Sequence, residues 1–385
     1  MTTTPPPDSQ QTPATPDAVL ESDTRPPLYD AFGDHSGEYH RRGDERRFLA
    51  LFGIASLVIF AAVVGFNAAV DPYGTLGTGW VPPVESQNSE RLGKVDLLEE
   101  MKPAPKALAL GTSTMRMYDP HHQEQLSGDR TFNASVSGSS LRTAYAFVAF
   151  AHHRLNLKPH VVWGLDVEGL HKRPEQPLGD ARLQRELPRT DRWSSRITAL
   201  QPIVDLRTVD VSLKALQSRD DRKAPDTKGQ RAIAQAHKLF DAHGFVKKDP
   251  LQGVDREGRL TTVTERYARD VYRNGGYTEL DAKMQRYVRR TIELANSYGD
   301  TPTIVLMPLH PEAHKVLGPL GWDARRNDIR RFMHKLEEDG LKLHFEDMSD
   351  PATFHADTDK FHDGVHMHKK TMHRMMDELE RRGAL

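Results

Sequence analysis

From Phe48 to Val70 the chain carries no charged residue, and almost every position is Ala, Val, Leu, Ile or Phe. A helix over this stretch spans about 34 Å at about 1.5 Å per residue, enough to cross a hydrocarbon core of about 30 Å. Arg41, Arg42, Arg46 and Arg47 stand directly before it. By the positive-inside rule they keep the N-terminus cytoplasmic and place everything after Asp71 outside the cell membrane. A cleaved signal peptide has a shorter apolar run nearer the start. Ala68-Ala69 is permissive for cleavage, but the long preceding tail speaks for an anchor. The expected organisation is a disordered cytoplasmic tail over 1–45 and a transmembrane helix over 46–71. A connecting segment over 72–105 follows, with a short helix near Glu90 to Met101, and then one folded domain over 106–385. The tail is rich in Pro, Thr, Asp and Ser and has too little apolar surface to offset its ordering entropy.

With 53 Lys and Arg against 54 Asp and Glu, the chain has no global attraction to nucleic acid. The absence of cysteine excludes disulfides, thiolate metal sites and cysteine nucleophiles.

Beyond the anchor, short apolar runs alternate with helical patterns. Strands are expected at Lys106–Leu110, Thr131–Ala134, His160–Asp166, Pro302–Pro308 and Leu341–Glu346. Helices are expected over Leu141–Arg154, Thr278–Ser297, Asp323–Asp339 and His368–Arg382. In the last of these, Met372, Met375, Met376 and Leu379 recur at helical spacing and read as core filling. The alternation predicts an α/β domain, a parallel sheet with helices on both faces. A polar stretch over about 170–276, with amphipathic pieces at Ile197–Leu216 and Gln230–Phe240, is too long for an ordinary connection. It reads as a helical insertion near the carboxyl edge of the sheet, either a lid or specificity element or a peripheral decoration.

The first strand runs into Gly111-Thr112-Ser113. Open α/β sheets hold their ligands at that edge. Ser113 is a candidate nucleophile there, although this stretch taken alone reads first as a helix N-cap. Phe361-His362-Asp363-Gly364-Val365-His366, just before the terminal helix, carries an Asp and a His spaced so that Asp363 holds one ring nitrogen of His366 while the other faces a serine. The competing reading is a plain Asp-Gly turn.

Together these blocks resemble the SGNH (GDSL-like) hydrolase superfamily, in which a Gly-x-Ser block near the domain start carries the nucleophile and a C-terminal Asp-x-x-His block completes the triad. The resemblance covers about Lys106–Val167 and Thr301–Leu385. It implies a three-layer, flavodoxin-like domain, a Ser113–His366–Asp363 triad, and an oxyanion donor at Gly138 in the Phe132–Ser140 block. Asp166 stands where that family ordinarily carries an oxyanion-binding Asn. An ionised Asp donates no hydrogen bond. Either it points elsewhere, or it is protonated, or the oxyanion relies on the Ser113 and Gly138 amides. With the anchor, the chain resembles DltD-like and alginate-acetylation-type SGNH proteins of bacterial envelope polymers, and the block order fits the DltD-like arrangement better. The resemblance implies acyl transfer to, or removal from, a cell-envelope glycan, beside a membrane-bound O-acyltransferase and without a cofactor. The alternative is a non-catalytic glycan-binding or acyltransferase-partner protein on the same fold.

Other signals are weaker. His310, after the fourth strand at the same edge, is a candidate substrate contact or a turn residue. Arg116 either pairs with an anion or faces solvent. His362, His366, His368 and His373 lack a metal-ligand pattern, so no metal is expected. The Asn133-Ala134-Ser135 sequon overlaps a strand expected to be buried.

Overall fold

The computed structural model describes residues 36–73, 76, 87–172, 178–192, 200, 203–217 and 237–385. The chain divides into two units, Met1–Leu57 and Val58–Leu385. Helix α1, Ser36–Val70, runs through the boundary between them. Its segment Asp44–Val70 is long and apolar enough to cross a membrane, and none of its most apolar stretch is buried. α1 begins well before the apolar run, so residues 36–45 are helical rather than part of an unstructured tail. Extending an already nucleated helix through Glu38, Arg41 and Arg42 costs little. The expected tail over 1–35 lies outside the described residues.

The second unit is built on five parallel strands: β1 (Ala107–Leu110), β2 (Thr131–Asn133), β3 (His160–Leu165), β4 (Thr303–Leu306) and β5 (His344–Asp347), in the order β2-β1-β3-β4-β5. Ala107 pairs with Thr131 on one side and His160 on the other. Thr303 pairs with Val162 and His344. The chain leaves β1 to one side and returns on the other, so the strand order reverses at β1/β3. The ends of these strands form the crevice where such sheets bind ligands.

Alternate residues of each central strand feed opposite faces. Leu108, Leu110, Val161, Trp163, Ile304 and Leu306 join one core. Packed there are Phe147 and Phe150 of α4 (Leu141–His153), Val288 and Ile292 of α8 (Ala282–Ser297), and Ile329 and Met333 of α10 (Trp322–Glu338). Ala109, Val162 and Val305 point the other way, into a core filled by Met372, Met375, Met376 and Leu379 of α11 (Lys369–Arg381). The three layers follow from this division, and the terminal-helix methionines are core as expected.

Helix α2, Gln87–Glu100, is not a mere connection: Val95, Leu97 and Leu98 lie in the first core. Its polar face is buried too. Lys94 is inaccessible, donates from Nζ to the Asn133 carbonyl at 2.9 Å, and lies 4.7 Å from the centre of the Phe240 ring. Burial, partly offset by Glu90, lowers its pKa to about 7. An unfolded lysine titrates near about 10.4. Between those values the unfolded chain holds a proton that the folded chain lacks, so Lys94 makes stability rise with pH across that window. Lys94→Met is therefore expected to flatten the increase in melting temperature between neutral pH and pH about 10. An unchanged pH slope would contradict this burial cost.

The insertion does two things. Helix α6 (Arg207–Gln217) joins the end of α1: Asn67 donates to the carbonyls of Ile203 at 3.0 Å and Asp205 at 3.2 Å and accepts from the Ser212 hydroxyl at 3.0 Å. The buried Asn67 amide needs partners, and the 203–212 segment supplies them. Further on, 240–259 reaches the sheet edge, as described below. Of the two expected amphipathic pieces, residues 197–199, 201–202 and 230–236 lie outside the described residues.

Candidate active site

β1 is followed by Gly111, whose φ of 151° and close neighbours admit no side chain: an added Cβ would lie 2.5 Å from Met115 Cγ and 3.0 Å from the Gly164 carbonyl. The turn then winds into a single 3₁₀ turn, Ser113–Met115. Its N-cap is Thr112, whose Oγ1 accepts the Thr114 N–H at 3.4 Å. The capping role available to a serine here thus falls to the preceding threonine, and Ser113 Oγ is left for His366 Nε2, 2.8 Å away.

Asp363 and His366 lie in a tight loop closed by the His362 N–H to His366 carbonyl bond at 2.8 Å and the Phe361–Met367 bridge. His366 Nδ1 is 2.8 Å from Asp363 Oδ2. Asp363 Oδ1 accepts the Val365 and His366 N–H groups, both at 3.0 Å, and Oδ2 accepts from Arg259 at 2.9 Å. Asp363 is wholly buried. Burial pushes its carboxyl upward, but the bonds from His366, Val365 and Arg259 outweigh burial and hold it well below the ordinary carboxylate range.

Ser113 and His366 line a cavity of about 240 Å³. Arg116 and Ser137 form one polar wall; Pro250 and Leu251 of the insertion, with Met117 and Met367, supply apolar surface. Arg116 bonds Ser137 Oγ and lies 3.4 Å from Glu90 of α2, which also accepts the Ser137 N–H at 3.2 Å. Arg116 therefore neither faces open solvent nor lacks an anion: it is paired with Glu90. The insertion also contributes Arg259, on α7 (Arg256–Tyr267). Sequence reading missed Glu90 and Arg259, one assigned to a connection and the other to an unmatched insertion. The mixed apolar and charged pattern of Glu90–Met101 was the available signal for the first; nothing local marks the second.

The remaining candidates are placed as follows. Gly138 is exposed at φ 61°, in a turn tied to the Gly111–Ser113 loop by the Val136 N–H and the Ser139 hydroxyl, both at 3.1 Å from the Gly111 carbonyl. Among the described residues, neither the Gly138 nor the Ser113 N–H has a protein acceptor. Asp166 accepts the Thr112 hydroxyl at 2.6 Å on one oxygen and the Thr114 hydroxyl at 2.8 Å on the other. It braces the turn on both sides of Ser113. His310 is buried and is not among the residues lining the cavity. It caps α9 (Pro311–Leu317) through Nδ1, and its N–H donates to the Gly364 carbonyl at 2.9 Å, steadying the Asp363 loop. The side chain of Asn133 is buried, donating to the Met115 and Tyr118 carbonyls at 3.0 and 2.8 Å.

No protein-family profile and no curated protein matches this chain.

Proposed function

We propose that this chain is a membrane-anchored, extracytoplasmic SGNH-like esterase or acyltransferase acting on acyl esters of cell-envelope polysaccharide. The observation that carries the reading is the continuous line from Ser113 Oγ to His366 Nε2 to Asp363, at 2.8 Å in each step, at the edge where the strand order reverses. Ser113 Oγ attacks the ester carbonyl carbon as His366 takes its proton. The tetrahedral intermediate collapses, the C–O bond to the leaving alcohol breaks, and His366 returns the proton to that alcohol. A water or a second sugar hydroxyl, deprotonated by His366, then releases the acyl group and restores Ser113. Asp363 fixes the ring tautomer and stabilises the imidazolium. The free Ser113 and Gly138 N–H groups supply the oxyanion donors.

Both oxygens of Asp166 are occupied by threonine hydroxyls, which argues against a carboxylate opposing the oxyanion. It acts instead by positioning Ser113. Asp166→Ala is expected to lower kcat by about 100-fold with KM little changed, because the nucleophile loses its two-sided brace. An unchanged kcat would show that the turn holds without it.

The anchor, with its preceding arginines, fits a domain held at the outer face of the cell membrane. The test of the reading is turnover of p-nitrophenyl acetate, and release of acetate from acetylated polysaccharide, by the full chain in detergent. Loss of both in Ser113→Ala is expected. Turnover equal in the two proteins, or none in either, would favour a non-catalytic binding role.

A further inference from the structure

We propose that His121, Asp241 and His243 form a zinc-binding site that pins the inserted segment to the sheet domain. His121 lies on α3 (Pro120–Ser127), and the other two lie on the turn between Phe240 and Val246. His121 and Asp241 are 120 residues apart, so no sequence spacing displays the cluster. One ligand atom from each of the three lies within 4.8 Å of the others. His121 Nε2 is 2.8 Å from Asp241 Oδ2, and the two imidazole rings meet edge to face at 4.3 Å. A tetrahedral zinc with bonds of about 2.0–2.1 Å sets its ligand atoms roughly 3.4 Å apart, so small side-chain rotations suffice.

One further observation points to a ligand. His243 Nε2 is buried and has no hydrogen-bond partner; its nearest carboxylate oxygen, Glu124 Oε2, is 3.9 Å away. A buried polar atom without a partner is costly, and coordination would satisfy it. The turn is also rigidly seated. Asp241 Oδ1 accepts the His243 and Phe245 N–H groups, both at 2.9 Å, which fixes the carboxylate plane. The His243 carbonyl accepts the Asn133 N–H at 2.8 Å. At Gly244, φ is 71° and a Cβ would lie 2.4 Å from the Asn133 carbonyl. Two imidazole nitrogens and a carboxylate oxygen suit zinc, with Glu124 or water as the fourth ligand. The role is structural: Asn133, against which the turn sits, holds the Met115 and Tyr118 carbonyls behind the Ser113 turn.

The test is titration of the untagged, metal-stripped full chain in detergent with zinc chloride, followed by calorimetry and by melting temperature. One equivalent is expected to bind in the micromolar range or tighter and to raise the melting temperature. His121→Gln and His243→Gln are each expected to weaken binding by at least about 10- to 100-fold and to abolish the thermal shift. His121 is half exposed, so its variant keeps the metal-free melting temperature. His122→Gln, which alters the neighbouring His122–Asp377 pair, is expected to bind zinc as the parent does. Absence of binding, binding unchanged in both ligand variants, or binding lost in His122→Gln would overturn the site.

Discussion

His366→Ala is expected to lower kcat/KM for ester cleavage by about 10⁴- to 10⁶-fold, as much as Ser113→Ala, and combining the two is expected to cost little more. Ser113 at its ordinary protonation is a poor nucleophile, and His366 Nε2 is the base within reach of its hydroxyl, at 2.8 Å. In the proposed mechanism the two residues work as one unit, so removing either removes the same step. The measurement is kcat/KM for p-nitrophenyl acetate in both single variants and the double variant. Additive losses would mean that the two side chains act separately, and the hydrogen bond between them would not be the functional contact.

Asp363→Asn is expected to lower kcat by about 10⁴-fold while the protein stays folded. The asparagine Oδ1 still accepts the Val365 and His366 N–H groups, so the loop keeps its backbone frame. Its Nδ2 is a donor, and it would turn the imidazole to the wrong tautomer, with Nε2 protonated toward Ser113. The amide also faces Arg259, replacing a charge-assisted bond with a donor against a donor. The carboxyl of Asp363 is held below its ordinary range, so the stability it contributes is present above the unfolded value of about 3.9 and is lost as pH falls toward the lower folded value. The melting temperature of Asp363→Asn should therefore differ from the parent at neutral pH and converge with it in strong acid. A variant with full activity would remove Asp363 from the proposed mechanism.

The parts of the fold that could be read in the sequence were those in which local pattern and tertiary burial agree. Ala107–Leu110 is apolar because both of its faces are covered, and Met372, Met375 and Met376 repeat at helical spacing because one face of α11 fills a core. Ser113, Asp363 and His366 stood out because a strand end and a tight Asp-x-x-His loop are local features. Helix α2 was read only as a short helix in a connection because its buried face includes Glu90, Arg91, Lys94 and Asp96, charges that a local reading assigns to solvent. Arg259 was out of reach because its value lies in a contact 104 residues away. Asp166 read as a threat to the oxyanion because only the structure reveals that Thr112 and Thr114 occupy it. His310 followed the right strand to the right edge, but its ring points into a helix cap and the Phe361 contact rather than the cavity.

The central claim is that Ser113 is a nucleophile activated by His366. The most direct test is to treat the full chain in detergent with a fluorophosphonate and locate the adduct by peptide mass spectrometry. The account predicts one phosphonyl group per chain, on Ser113, with labelling greatly slowed in His366→Ala and absent in Ser113→Ala. An unlabelled Ser113, or a Ser113 labelled equally fast in His366→Ala, would contradict it.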